Sequence, residues 1–581
     1  MMAAEAREAL LGEVVRGARV QEGRAGRVDL SGVLTLEVSL YLLAIVAGIV
    51  LRLLLIDERP LSLEEGSLAA EAYSVAMGRA PDLLHQGAVN AYGTALSFLL
   101  FGVGDGEARL VSAVAGSVLV GLPYLLRRPL GRVPAVVAAF AIAISPVMLF
   151  GSRNVGGAAL ALMASMLLWA ALEPGVKGMS AERALAVAVL TAVMVASGRE
   201  GVTLLATMAV AAWLSHPRPS LLMGDLGTLF SAARGRRMAM AFVVILALIG
   251  TGLGSNPKGL QWAAVDGWSG WARSFTLVAG RGNVVLLMLL YEWPAVVLGL
   301  PRVVRAVVVR DRVDSFLSLW FILALVVCML QEGEIAWRVI LPTLPLYLLA
   351  ARTAGSSLRL ASGLRWEVRT VVAAVAVGVP IAVGIVLLNR VATPATATPV
   401  EYFYVEICLL AVGAVALLLL RARERAALAW WTSAILVVGF LVHSSAFLNY
   451  RAETVGREPL VGNQLSPVLR EAARHESYIS RYFQVQVTVD PELRGPLAWY
   501  LRDGREVTYS TELTRGVWIH MLRGDATPID LGSDRRPGLY SPTIVRSDLT
   551  WQEVWRWAVA RDGLVRANQR DIIVRAPAGN W

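Results

Sequence analysis

The chain has 581 residues, 56% of them hydrophobic, and a mean hydropathy of +0.59. That composition excludes an ordinary soluble domain and marks a polytopic α-helical membrane protein. The formal net charge is +10, but the arginines fall in short clusters between apolar runs, so the charge is topogenic and implies no nucleic-acid partner.

Residues 1–37 are polar and carry Arg7, Arg16, Arg19, Arg24 and Arg27. They read as a cytoplasmic N-terminal segment. The apolar run 39–56 is long enough to cross a bilayer and has no small-residue cleavage site after it, so it is expected to stay as the first membrane helix. Basic connections at 126–132, 233–237, 301–312, 352–369 and 421–425 belong inside by the positive-inside rule. About thirteen spans follow: 39–56, 109–126, 134–150, 157–172, 183–197, 201–214, 238–254, 284–300, 316–330, 335–350, 370–388, 403–420 and 430–447. The topology closes only if the half-length run 95–103 is an interfacial or re-entrant helix of the first outer loop. An odd number of spans puts the C-terminus outside, in an integral protein of the cytoplasmic membrane. The membrane domain is thus expected over 38–450.

Beyond Tyr450 the composition turns mixed and polar. "QVQVTVD" (484–490) and "RDIIVRAP" (570–577) read as strands, and "DLTWQEVWRWAVARD" (548–562) has helical spacing. Residues 451–581 are therefore expected to form an extracytoplasmic α/β domain. Its Trp499, Trp551, Trp555 and Trp557 are either packing or a sugar-stacking surface.

Ionisable residues are costly at membrane depth, and here they gather at outer helix ends. Glu64 and Glu65 follow the first span, His85 ends the same loop, and Arg153 follows the third span. Arg199 and Glu200 form the turn "SGREG", and Glu332 and Glu334 lie in "QEGEIAWR". Glu292 in "LLYEWPAV" sits near mid-depth and needs a partner or a proton. Neighbours on a helix diverge by about 100°, so one of Glu64 and Glu65 faces a site and the other a partner or water. His216, His443, His475 and His520 show no metal-ligand spacing, Cys328 and Cys408 lie in apolar runs, and a divalent metal has no ligand set in its favour. A carboxylate base, arginines suited to a phosphate and a bilayer together describe chemistry on a lipid phosphate.

With the stretches "FGVGDGEARLVSAVAGSVLVGLPYLLRRPLGR" (101–132), "SPVMLFGSR" (145–153), "ASGREG" (196–201) and "LQEGEIAWRVILPTLPLYLLA" (330–350), the chain resembles the GT-C superfamily of polyprenyl-phosphate-sugar-dependent glycosyltransferases, which includes protein mannosyltransferases. It is most similar to a prokaryotic subfamily called flippase activity-associated proteins. The resemblance implies a GT-C-like core and inverting transfer from a polyprenyl-phosphate sugar to a glycan, lipid or protein acceptor. It implies Glu64 or Glu65 as the base, with Glu64 favoured, and Arg199 as the phosphate clamp. Glu200 and Glu334 would orient these groups or the sugar, and His85, Arg153 and Glu292 complete the substrate-binding set. Where the subfamily shows His-Asp-Glu-Ala, this chain has Leu63, Glu64, Glu65 and Gly66, and "SRNVGG" replaces an Arg-Asn-Asp triplet. Those departures keep open a non-catalytic factor for lipid-linked glycan handling on the same scaffold.

Overall fold

The computed structural model describes residues 35–79, 87–173, 180–216, 233–275, 283–309, 311–332, 335–362, 372, 375–379, 407, 422–450, 458–461, 464–504, 506–510, 519–523, 534–544, 554, 557 and 565–575. The chain divides into two compact units, residues 1–43 and residues 44–581.

The helices follow the apolar runs. They are α1 (Leu36–Leu53), α2 (Leu63–Ala76), α3 (Ala88–Phe101), α4 (Asp105–Gly121), α5 (Arg132–Ile144), α6 (Pro146–Ser152), α7 (Ala158–Leu172), α8 (Ala181–Ala196), α9 (Arg199–Ser215) and α10 (Ala233–Gly250). After a short α11 (Gly267–Arg273) come α12 (Asn283–Val309), α13 (Arg312–Leu330), α14 (Ile335–Ser362) and α15 (Ala422–Tyr450). Among the described residues four helices are long and apolar enough to cross a membrane, or five if the bent pair α5 and α6 is one span. Eleven of the thirteen expected spans fall on these helices; 370–388 and 403–420 lie almost wholly outside the described residues. The half-length run expected at 95–103 belongs to the 14-residue α3.

Two helix breaks have local causes. Pro146 occupies the first turn of α6 and Ser145 caps it, its hydroxyl accepting the Met148 N–H at 3.1 Å, so the chain turns by 62° between α5 and α6. In α12, Pro294 cannot supply the N–H for the preceding turn, and Glu292 leaves helical geometry at φ −122° and ψ 21°.

Among the described residues beyond 458 there are a six-stranded sheet and two α-helices: β1 (Gln464–Leu465), α16 (Pro467–Phe483), β2 (Gln486–Val489), α17 (Arg494–Tyr500), β3 (Glu506–Tyr509), β4 (Ile519–Arg523), β5 (Asp534–Ile544) and β6 (Val565–Arg575). The strand order is β1-β5-β6-β4-β2-β3; β2 runs parallel to β3 and β4, and the other pairings are antiparallel. The strands expected at 484–490 and 570–577 are β2 and the second half of β6. The helix expected over 548–562 lies outside the described residues except for Val554 and Trp557.

Residues on both sides of position 450 share one apolar cluster. Leu61, Ala69, Ala72, Phe98, Ala108 and Val155 pack in one cluster with Leu465, Leu469, Val487, Leu497 and Trp499. Trp499 stacks on Phe98 at 5.4 Å and meets Tyr73 edge-on at 6.4 Å. Both Trp499 and Trp557 are fully buried, so they pack rather than offer sugar a surface; Trp551 and Trp555 lie outside the described residues.

The junction of α12, α13 and α14 is held by charge. Asp314, buried, meets Arg352 Nε at 2.6 Å and Arg302 Nη1 at 3.2 Å, while Asp311 caps α13 by accepting the Val313 and Asp314 N–H groups. Removing the Asp314 carboxylate leaves two arginines facing each other in a nearly dry site. Asp314→Ala is expected to cost about 3–5 kcal/mol, against about 1 kcal/mol for the half-buried cap Asp311→Ala. Thermal unfolding of the two variants in detergent checks that order.

Candidate functional site

Glu64 and Glu65 open α2. Ser62 caps the helix from extended backbone, its hydroxyl accepting the Glu65 N–H at 3.2 Å, and Glu65 Oε2 accepts the Ser62 N–H at 2.9 Å: a complete capping box. Having been drawn back by the cap, the Glu65 side chain is 1% exposed. It receives Arg109 Nε at 2.9 Å and Arg109 Nη2 at 3.0 Å, and the Val155 N–H at 3.1 Å. Burial alone would raise its carboxyl pKa, but Arg109, Arg59 and the Ser62 N–H overcome it and hold the group at about 2. Glu65 is thus ionised and its oxygens are occupied. Glu64, one position round the helix, is exposed.

Arg109 explains this arrangement. Its remaining N–H groups donate to the carbonyls of Ile56 (2.9 Å), Arg59 (2.8 Å) and Pro60 (3.2 Å), so all five donors of the guanidinium are used. An arginine one turn inside an apolar run is a signal that a partner exists. Reading the sequence alone missed this residue, because its partner lies 44 positions away.

Arg153 is committed elsewhere. Its guanidinium donates to the carbonyls of Leu51, Arg52, Leu54 and Leu55 at 2.6–3.1 Å and lies 4.6 Å from the Tyr450 ring. These are carbonyls that α1 leaves unpaired at its C-terminal end, where a cation also suits the helix dipole. Burial, opposed by Tyr450, pushes its pKa down to about 10, so it stays charged at neutral pH. Glu292 is likewise enclosed: it accepts the Ser145 hydroxyl at 2.6 Å, the Val147 N–H at 3.0 Å and the Tyr347 hydroxyl. The carboxylate ties the break in α12 to the break between α5 and α6.

A cavity of about 470 Å³ gathers the rest. Its lining includes Gly87, Gly198, Arg199, Arg273, Ser274 and Glu332. Gly87 and Gly198 are the N-caps of α3 and α9, both at φ 81°, and neither helix has a side-chain cap. Their backbones touch: a Cβ on Gly87 would stand 2.5 Å from the Ser197 carbonyl carbon and 2.6 Å from the Gly198 nitrogen. Two helix N-termini, with their first-turn N–H groups, therefore meet at a cavity that also carries two arginines.

The facing wall is clipped in place. Trp271 Nε1 donates to the Thr203 hydroxyl at 3.0 Å, that hydroxyl to Gln331 Oε1 at 3.1 Å, and the Glu332 N–H to the Ser274 carbonyl at 2.7 Å. Glu200, beside Arg199, is half-buried, and burial raises its pKa against the pull of Arg199.

Of the residues singled out from sequence, the structure thus brings Arg199 to the cavity lining, with Glu200 next to it in sequence, and holds Glu65, Arg153 and Glu292 in buried networks outside that lining. His85 and Glu334 lie outside the described residues; Gly87 and Glu332, two positions from each, line the cavity. Arg273 went unrecognised, since it ends the short helix α11 in a connection between spans with no motif around it. Among the described residues no group of His, Cys, Asp and Glu could hold a metal ion.

The two adjacent glutamates are expected to behave differently. Glu65→Gln should lower the melting temperature in detergent, by an amount corresponding to about 3 kcal/mol, while Glu64→Gln should leave it unchanged. Because the folded pKa of Glu65 lies below its unfolded value, its stabilisation is complete above about pH 4.3 and is lost as pH falls toward about 2. The gap between wild type and Glu65→Gln should close over that window in a melting series.

Residues 85–253 match the family model for dolichyl-phosphate-mannose-protein mannosyltransferases. Among curated proteins no sequence matches. Among solved structures, ArnT from Cupriavidus metallidurans in the apo state is similar with a TM-score of 0.56 and 15% identity, over 92% of this chain and 97% of that one. The same protein bound to undecaprenyl phosphate is similar with a TM-score of 0.56 and 16% identity, over 95% and 99%. By fold, this chain is similar to ArnT over nearly the whole length of both chains.

Proposed function

We propose that the protein transfers a sugar from a polyprenyl-phosphate-linked donor to an acceptor hydroxyl on the extracytoplasmic side of the cytoplasmic membrane, with inversion. The observation that carries this reading is the cavity where the glycine-capped N-termini of α3 and α9 meet beside Arg199 and Arg273. Backbone N–H groups, two helix dipoles and two guanidiniums are complementary to a phosphate. The similar structure of ArnT with undecaprenyl phosphate bound supports a lipid phosphate as the anion.

In the proposed step the acceptor oxygen attacks the anomeric carbon as Glu64 takes its proton. The bond from that carbon to the phosphate oxygen breaks, and its electron pair stays on the polyprenyl phosphate. The arginines and helix N-termini stabilise the charge that grows there. Glu64 is assigned this role because Glu65 is already ionised and saturated by Arg109, whereas Glu64 stands exposed at the start of α2. Glu332, with Glu200, Glu334 and His85 nearby in sequence to cavity-lining residues, supplies hydrogen-bond partners for the sugar.

Arg199→Ala and Arg273→Ala should each weaken binding of undecaprenyl phosphate about tenfold, and Gly87→Ala should do so as well by forcing the two helix N-termini apart. Unchanged affinity in all three would exclude this cavity as the phosphate site. Glu64→Gln should retain that binding yet lose transfer from polyprenyl-phosphate sugars by a factor of about a hundred or more. Full transfer by Glu64→Gln would remove it as the base, and binding without turnover across a panel of such donors would favour the non-catalytic handling factor.

A further inference from the structure

Five consecutive carbonyls lie between the end of α1 and the start of α2, and each is claimed by a side chain from elsewhere in the chain. Arg109 takes Ile56, Arg59 and Pro60. Arg470 of α16 takes the two between, donating to Asp57 at 3.2 Å and Glu58 at 3.0 Å. Gln464 of β1 adds a second bond to Pro60 at 3.1 Å and forms an antiparallel bridge with Ser62.

The next amide completes the set. Leu61 N–H donates to the Tyr500 hydroxyl at 2.9 Å, and that hydroxyl donates to Asp105 Oδ2 at 3.0 Å. Asp105 also accepts Trp499 Nε1 at 2.8 Å and pairs with Arg474 at 3.1 Å. Asp105 and Arg109 stand one turn apart on α4. One helix thus holds the segment from below through Arg109 and anchors through Asp105 the α/β layer that holds it from above.

We infer that the α/β layer is the positioning element for α2: Arg470 and Tyr500 fix residues 57–62 and thereby aim the N-terminus on which Glu64 stands. The functional consequence rests on Glu64 being the base. The segment has no ladder of its own, so without these donors its carbonyls would turn to water and the entry angle of α2 would be free to vary. Displacing a base by about 1 Å costs roughly a hundredfold in rate, so this clamp acts on turnover rather than on donor affinity.

The test uses the full-length protein in nanodiscs. Tyr500→Phe deletes one hydroxyl and keeps the buried ring; Arg470→Ala removes the second clamp at a partly exposed site, with Arg470→Lys as its conservative partner. Amide exchange of the peptide covering 57–66 should rise roughly five- to tenfold in Tyr500→Phe and Arg470→Ala. It should recover in part in Arg470→Lys and stay unchanged in α7, α9 and the sheet. Affinity for undecaprenyl phosphate should remain within about twofold, and transfer should lose kcat by about tenfold or more at constant KM. Unaltered exchange over 57–66, or faster exchange spread over the whole chain, would overturn the positioning role, as would undiminished kcat beside locally faster exchange. If Glu64→Gln keeps full transfer, the assignment of the base fails, whereas the exchange pattern still reports on the clamp.

Discussion

The bidentate pair between Arg109 and Glu65 fixes how the chain passes from α1 into α2. A charge with almost no solvent contact is tolerable only when every donor and acceptor around it is matched. Here the match is complete on the cation: two N–H groups reach Glu65 at one side, and the other three reach backbone carbonyls of the segment leading into α2. The anion in turn closes the helix cap and takes the Val155 N–H. A single ion pair so fixes the exit from α1, the start of α2, the first turn of α4 and the turn before α7.

The same solution recurs at two other places where helices end or bend among the described residues. Water cannot satisfy groups freed at a kink there, so a side chain does. Arg153 collects the carbonyls at the end of α1, and Glu292 gathers donors from both sides of the α5 and α6 bend. These residues are ionisable and enclosed for structural reasons. What separates them from Arg199, Arg273 and Glu332 is access: the latter three line an open cavity. The distinction sorts a long set of conspicuous charges into fasteners and candidate ligands.

Much of the architecture could be read from residue order. Apolar runs place the helices and the alternation in "QVQVTVD" places β2, whereas the expected spans 134–150 and 284–300 ran straight through the bend at Pro146 and the kink at Glu292. The 100° divergence of Glu64 and Glu65 already requires them to have different fates. Which carboxylate would be buried was not legible, because the answer depends on Arg109 across an intervening helix. Arg153 and Glu292 looked like site residues for the same reason: an unexplained charge in an apolar run has the same appearance whether its partner is a ligand or a carbonyl.

The amino-acid sequence by itself determined that this is a polytopic membrane protein, where its apolar helices run, and which ionisable groups must find partners. These follow from hydropathy and from effects reaching only about four residues along the chain. Only the tertiary structure decided which partners they find. The Tyr500 hydroxyl meets Leu61 across 439 positions and Arg109 meets Glu65 across 44. A buried charge takes its role from what surrounds it in space, and that surrounding is assembled from segments whose separation no local propensity encodes.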